Sequence, residues 1–459
     1  MLILFLACAV LFTALAIWRL ERALSLLLLC LPLYLWRISL FGIPLTMLEA
    51  FILIVAGVWL WREKPQKWLI KKQKGRKRYP FDIEIALVMI LAFVAAGVAG
   101  FNNSALGVFK AYFFEPILLF VVVFNVFGPK KNYFGIVWPL VLSGLVVSLL
   151  ALYQAIFNFS FLNPIFGVGD FPRAVSFYGY PNAVGLYVAP LVPLAGALVF
   201  KYWTQKKYEL AGLAGVSGLA MIGATVVAKS EGALIGLVLA AVVSLGMMGY
   251  KKIVVGLLLM TVLMIMAIVP LRDYALEKVQ LRDLSGEIRK QHWRETGKML
   301  SGGYWLLGSG LSNYTKAVAP WHQAGIFFNF EKDPDFRRKI VIFDNSYKQA
   351  HWQPVEIYMY PHNIFLNFWV EVGFLGMLLF TWIIGKYLTL TSALIKMAGA
   401  DNLWAVALMG AMVVIVVHGL VDVPYFKNDL SVMFWVLIAM VGIGEIGNVK
   451  FLISNVKLK

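Results

Sequence analysis

Five histidines occur in this sequence, and four of them, His292, His322, His351 and His362, fall within or at the edge of one segment, residues 271–361. Imidazole is the side chain best suited to moving protons near neutral pH. His362 stands out, because Tyr360-Pro361-His362-Asn363 opens an apolar run that also holds Glu371, Gly373 and Gly376. Beside a helix N-terminus the dipole disfavours imidazolium and attracts anions, so a histidine there suits a base working on an anionic substrate. The plainer alternative is an interfacial histidine satisfied by a backbone carbonyl. Three basic residues, Arg173, Lys229 and Arg289, lie near the ends of apolar runs, where such residues snorkel to the membrane interface, for Arg173 an equal reading, or hold an anionic head group. Arginine suits this best, since its planar fork meets phosphate oxygens in pairs. A helix over 286–300 places Arg289 and Trp293 on one face, four residues apart, and Lys290, Arg294 and Lys298 on another that faces lipid phosphates or water.

The elements that must carry these residues follow from composition. Of 459 residues, 61% are hydrophobic and 14% charged, and mean hydropathy is +0.79. Globular chains carry about 25% charged residues, so a soluble fold is excluded and lipid is the solvent. Apolar runs of about 17–25 residues favour helices over an alternating β-barrel pattern. Spans are expected at 2–18, 23–41, 44–61, 82–100, 111–128, 133–157, 182–200, 210–228, 232–249, 253–270, 362–385, 403–421 and 430–447. The count is twelve if one of the first two is re-entrant or interfacial. Arg19 lies behind the first apolar run, so no cleaved leader is expected there.

Charge sets the orientation. With residues 62–78 inside, the inner loops hold 23 Lys/Arg and the short outer loops five, namely Arg37, Lys110, Arg173, Lys229 and Lys427. That asymmetry places 271–361 outside. This segment has 13 Lys/Arg, 10 Asp/Glu and fifteen aromatic residues, too aromatic for a disordered loop, and is expected to form an ordered cap. Three parts result: 1–270, an N-terminal bundle; 271–361, the external segment; and 362–459, the C-terminal spans and tail. The net charge of +17 belongs to these loops and to anionic lipid, which excludes nucleic acid as a partner. Cys8 and Cys30 lie in apolar runs without further ligands nearby. Asp333-Pro334-Asp335 resembles the Asp-x-Asp of nucleotide-sugar transferases, but Lys332, Arg337 and Arg338 make it a solvated turn. No His or Cys pair has metal-ligand spacing, so neither metal nor other cofactor is expected. Trp305, Trp321 and Trp352 are placed to stack on sugar rings or to anchor the cap, and His418 and Asp422, four apart, share a face if helical.

Pro361-His362-Asn363 followed by Gly373-Phe374-Leu375-Gly376 resembles the signature of the O-antigen ligase and O-antigen polymerase family. Met377 departs from the usual Thr or Val at what looks like a packing position. Other pieces fall in the family's order: Ile43 through Glu49, Arg173 through Tyr180-Pro181-Asn182 to Gly185, Ile288-Arg289 with Trp293, Gly308-Ser309-Gly310-Leu311, and His418 through Asp422. The family's Ser-Arg-Gly at an outer junction is Lys229-Ser230-Glu231-Gly232 here, so a donor contact there depends on Lys229. The resemblance implies an all-α polytopic membrane protein of glycosyltransferase-C-like architecture in a bacterial inner membrane. It implies transfer of a glycan from undecaprenyl diphosphate to a hydroxyl of a lipid, glycan or protein acceptor on the external face. In that reaction His362 is the base or diphosphate stabiliser, and Arg289, Arg173, Lys229, Asn182 and Glu371 line the donor site. A transporter of lipid-linked glycan is the alternative from another class, and predicts interrupted helices at mid-membrane.

Overall fold

The structure, a computed structural model, describes residues 2–40, 43–63, 80–158, 173–342, 345–398 and 403–456. Most of the basic run at 62–78 lies outside these residues. The chain is built almost wholly of helices and divides into two compact units. The first takes Met1–Ile90, Gly107–Lys251 and Leu379–Lys459; the second takes Leu91–Leu106 and Lys252–Leu378. Residues 271–361, expected to form a cap, fall wholly within the second unit. Among the described residues five helices are long and apolar enough to cross a membrane: Asn103–Lys130, Phe134–Phe157, Asn182–Thr204, Tyr208–Val227 and Phe374–Met397. Shorter apolar helices follow other expected spans, at Leu2–Trp18, Glu231–Met247, Leu403–Gly419 and Asn428–Gly444.

Two expected spans are not continuous helices. The run at 23–41 is a helix, Leu20–Leu29, then a 3-10 turn, Leu31–Leu35, with Pro32 near its start, then a strand. Proline removes a backbone donor and pushes the preceding residue out of helical geometry, which ends the helix early. The strand Arg37–Leu40 pairs antiparallel with Ile43–Thr46, Arg37 opposite Thr46. The next helix, Met47–Glu63, starts on a reciprocal cap: the Glu49 N–H donates to Thr46 Oγ1 at 3.1 Å and the Thr46 N–H to Glu49 Oε2 at 3.3 Å.

The run at 362–385 is likewise split, into Ile364–Val372 and Phe374–Ala398, at Gly373 with φ +86. The helix Lys251–Ala267 and the segment from Val269 onward meet at 106°, with Pro270 in the first turn after the bend.

In the first unit, helices Glu231–Met247 and Leu403–Gly419 pack closely because small residues line their contact. A Cβ at Gly236 would lie 3.2 Å from the Val414 carbonyl oxygen, and one at Gly232 2.8 Å from the His418 ring. Glu84, buried in its span, accepts hydrogen bonds from Lys386 Nζ at 2.7 Å and Trp382 Nε1 at 2.9 Å, as an ionisable group in a membrane segment requires.

In the second unit the core of the cap is Met299, Leu300, Tyr314, Ala317, Val318 and Val370, with Trp321 and Trp369 packed against it. A short antiparallel pair, Gly325–Phe327 with Trp352–Pro354, adds a hairpin, and Trp352 meets Phe327 edge-on at 5.0 Å.

Candidate functional site

His362 sits just ahead of a helix, as expected, though Pro361 does not lie in its first turn. The helix Ile364–Val372 is capped by Asn363, whose side-chain oxygen accepts the Leu366 N–H at 3.0 Å. His362 precedes that cap in the left-handed region at φ +50, a conformation that non-glycine residues adopt only when their surroundings enforce it. The surroundings are the helix Leu284–Met299, which confirms the helix expected at 286–300. From it Trp293 Nε1 donates to the Pro361 carbonyl at 2.8 Å, fixing the peptide that leads into His362. The residue beside Trp293, His292, lies parallel to His362, ring centroids 6.1 Å apart and planes 13° apart. Tyr358 stands edge-on to both rings, at 4.8 Å from His292 and 5.1 Å from His362, and Tyr360 is edge-on to His362 at 5.1 Å.

Arg289 is half-buried on this same helix, one turn before Trp293. Arg294 and Lys298 are exposed, while Lys290 pairs with Glu287 at 2.6 Å. The charged stripe thus parts from the Arg289–Trp293 face as its spacing predicts. His292 is 2% exposed, and neither of its nitrogens completes a hydrogen bond of normal geometry. Burial foremost, with the neighbouring His362 second, pulls its pKa down to about 4, against a smaller opposing pull from Glu295 and the Glu356 backbone.

Glu371 faces inward, 5% exposed, and accepts the Ser312 N–H at 2.6 Å. That contact is one of a set tying residues 306–312 to the broken helix. The Ser309 N–H donates to the Val370 carbonyl at 2.7 Å and the Phe374 N–H to the Leu306 carbonyl at 2.9 Å. Glycine is required at the crossing: a Cβ on Gly308 would lie 2.5 Å from the carbonyl oxygens of Trp369 and Val370, and one on Gly373 2.6 Å from that of Leu306. Both glycines also have positive φ. Elsewhere in the cap, Asp333 is engaged by protein donors, Lys339 Nζ at 2.6 Å and Tyr347 Oη at 2.8 Å. These contacts, Lys339 foremost, hold its pKa down at about 2. Among the described residues no three His, Cys, Asp or Glu side chains group as metal ligands would.

The first unit gathers Arg173, Asn182 and Lys229. The Arg173 guanidinium donates from Nε to the Ala228 carbonyl at 3.0 Å, and from Nη2 to the Lys229 carbonyl at 3.2 Å and Asn182 Oδ1 at 2.9 Å. It therefore closes the C-terminus of helix Tyr208–Val227 by binding the carbonyls just beyond it. Asn182 in turn donates to Asp422 Oδ2 at 2.9 Å. Asp422 lies beyond the helix Leu403–Gly419, so it does not share a helical face with His418. His418 instead faces Ser230, Nε2 to Oγ at 3.5 Å. Lys229 is exposed, at φ +50, on the turn that Arg173 holds.

The sequence did not assign His292, though it had a usable signal, three residues from Arg289 and next to Trp293 on one helix. It placed Asp422 with His418; the actual partner, Asn182, is distant in the chain, so that pairing was not legible.

Residues 216–381 match the family model described as O-antigen ligase. Over that region the chain is similar to the O-antigen ligase and polymerase family, whose members are glycosyltransferase-like membrane enzymes. The matched region contains Lys229, Arg289, His362 and Glu371. No curated protein matches the chain.

Proposed function

We propose that the protein transfers a glycan from a polyprenyl diphosphate, undecaprenyl diphosphate in a bacterial inner membrane, to an acceptor hydroxyl on the external face. The acceptor oxygen attacks the anomeric carbon, the bond from that carbon to the diphosphate oxygen breaks, and the configuration inverts. The hydroxyl proton passes to the His362 ring, and the diphosphate leaves with the negative charge. Arg289 neutralises that charge as a fork of N–H donors, and no divalent metal is needed. Lys229 supplies a second positive charge to the donor, on a turn whose shape Arg173 and Asn182 hold. Glu371 keeps residues 306–312 in place.

The observation that carries this reading is the constraint on His362. A residue at φ +50, pinned through Trp293 and Pro361 and walled by three aromatic rings, is pre-arranged for chemistry. The transporter reading predicted interrupted helices, and the chain has breaks after Leu29, at Ile268 and at Gly373. The one beside the candidate base, at Gly373, is filled by the backbone of 306–312 and favours no ion or substrate site there.

Incubation of the purified protein with a lipid-linked oligosaccharide and lipid, glycan or protein acceptors tests the proposal. Release of polyprenyl diphosphate together with acceptor glycosylation, unchanged by a chelator, is expected. His362→Ala should lower turnover by about 10²–10⁴, the usual loss of a general base. Turnover above a tenth of wild type in that variant, normalised to folded protein, would rule out the base.

A further inference from the structure

Two of the histidines in the cap differ sharply in bonding. His322 uses both nitrogens, Nδ1 on Glu295 Oε2 at 3.2 Å and Nε2 on the Val355 carbonyl at 3.0 Å. Glu295 is itself saturated, by Gln291 Nε2 at 2.8 Å and the Gln323 N–H at 2.8 Å besides His322. This ties the helix Leu284–Met299 to the rest of the cap, which is what a structural histidine does. His292, one helical turn earlier, is more deeply buried, yet neither of its nitrogens completes a hydrogen bond of normal geometry, its polar neighbour being the Glu356 backbone. So poor a contact adds little stability, and hydrogen bonding is not the main thing this side chain contributes. What it does contribute is a flat ring parallel to His362, with Tyr358 edge-on to both.

We propose that His292 is a positioning residue for glycosyl transfer, its buried ring setting the plane and depth of the His362 ring. The inference rests on the reading of His362 as the base. Such a wall suits His362, whose backbone lies in the left-handed region between a Trp293-held peptide and the Asn363 cap. Trp293 and His292 are consecutive on a rigid helix, so one fixes the backbone and the other the side chain. Arg289 is on that helix too, which gives the phosphate fork and the base a common support. Misplacing a reacting group by about 1 Å can cost about 10²-fold in rate, so the wall affects turnover and leaves donor affinity alone.

The test compares His292→Ala, His292→Phe and Tyr358→Leu in the full-length protein, with kcat and donor KM measured per folded molecule. His292→Ala should lower kcat about 10- to 100-fold with donor KM within about twofold. His292→Phe, which keeps the flat ring and loses the nitrogens, should recover kcat to within about threefold of wild type. Tyr358→Leu, acting on both rings from outside the helix, should reproduce the alanine pattern even if His292→Ala does not fold. Wild-type kcat in His292→Ala, a raised KM at unchanged kcat, or a folded His292→Phe no better than alanine would each overturn the inference. His362→Ala is run alongside. If it stays active, the base reading itself fails; if it is inactive while His292→Ala is normal, only the positioning role fails.

Discussion

The two clusters of candidate site residues use their polar groups in opposite ways. Around Arg173, hydrogen-bonding capacity is spent inside the protein, the guanidinium on two carbonyls and Asn182, and Asn182 on Asp422. Around His362, neither nitrogen of the neighbouring histidine completes a hydrogen bond of normal geometry, and ring faces and edges make up much of the packing. A basic residue near a span end therefore has two fates, ligand for an anion or cap for a helix, and only its partners separate them. Arg173 is built as a cap that shapes the Lys229 turn. The His362 cluster is built from packed aromatic rings around the start of a helix.

The sharpest break in this contrast comes at the crossing that supports His362. Gly308→Ala and Gly373→Ala each drive a Cβ into carbonyl oxygens at 2.5–2.6 Å and demand positive φ of an alanine. A loss of about 2–4 kcal/mol is expected, seen as a lower unfolding temperature and loss of most turnover. Gly57→Ala, whose added Cβ meets nothing within 4 Å, should leave both unchanged.

Arginine substitutions separate the two fates directly. Arg289→Ala should weaken donor binding about 10- to 100-fold, from about 1.5–3 kcal/mol for hydrogen bonds to a charged group, with Arg289→Lys recovering part. Arg173→Ala should instead lower the unfolding temperature, because buried carbonyls lose their donor, at a cost of about 1–3 kcal/mol. Arg173→Lys should not restore it, since one ammonium cannot span two carbonyls and Asn182. Donor binding by folded Arg173→Ala should fall no further than in Lys229→Ala. A larger fall would make Arg173 a direct ligand.

Much of this arrangement is legible in the chain. Pro361-His362-Asn363 before an apolar run marks a helix start, and Asn363 is the cap. The spacing of Arg289, Trp293 and the Lys290 stripe gives the helix Leu284–Met299 and its faces. Other features depend on chain crossings that periodicity does not encode. The apolar run through Gly373 reads as one span, and it breaks because the Leu306 carbonyl takes the Phe374 N–H. The run at 23–41 reads as a span as well, although Pro32 and a hairpin end it. Arg173 reads as a phosphate ligand, since the carbonyls it caps lie far along the sequence.

His292 also leaves a signature in stability. Its folded-state pKa of about 4 lies below the ordinary 6.5, so between those values the unfolded chain binds more protons and the fold weakens as pH falls from about 6.5 toward 4. The groups facing it are His362, Glu295, His322 and the Glu356 backbone. The loss is on the order of 3 kcal/mol at pH 4, from about 1.4 kcal/mol per unit, and His292→Phe should remove it. Unfolding of the detergent-solubilised protein between pH 7 and 4 reads this out. The same slope in wild type and His292→Phe would mean that the ring is hydrated.

The smallest effect belongs to Asp333, far from either cluster in character, since its carboxylate is paired with Lys339 and Tyr347 at the protein surface. Its folded-state pKa of about 2 lies below the ordinary 3.8. Its contribution is thus full above about 4 and is lost as pH falls from there toward 2, the same direction as His292 in a lower range. Screening by water keeps that contribution small. Asp333→Asn should loosen residues 329–348 in amide exchange at neutral pH, without changing turnover or the response to a chelator. If turnover instead collapses and manganese or magnesium restores the wild-type enzyme after chelation, Asp333 and Asp335 hold a metal after all. The cap would then carry the diphosphate through a cation, and Arg289 would lose the role given to it here.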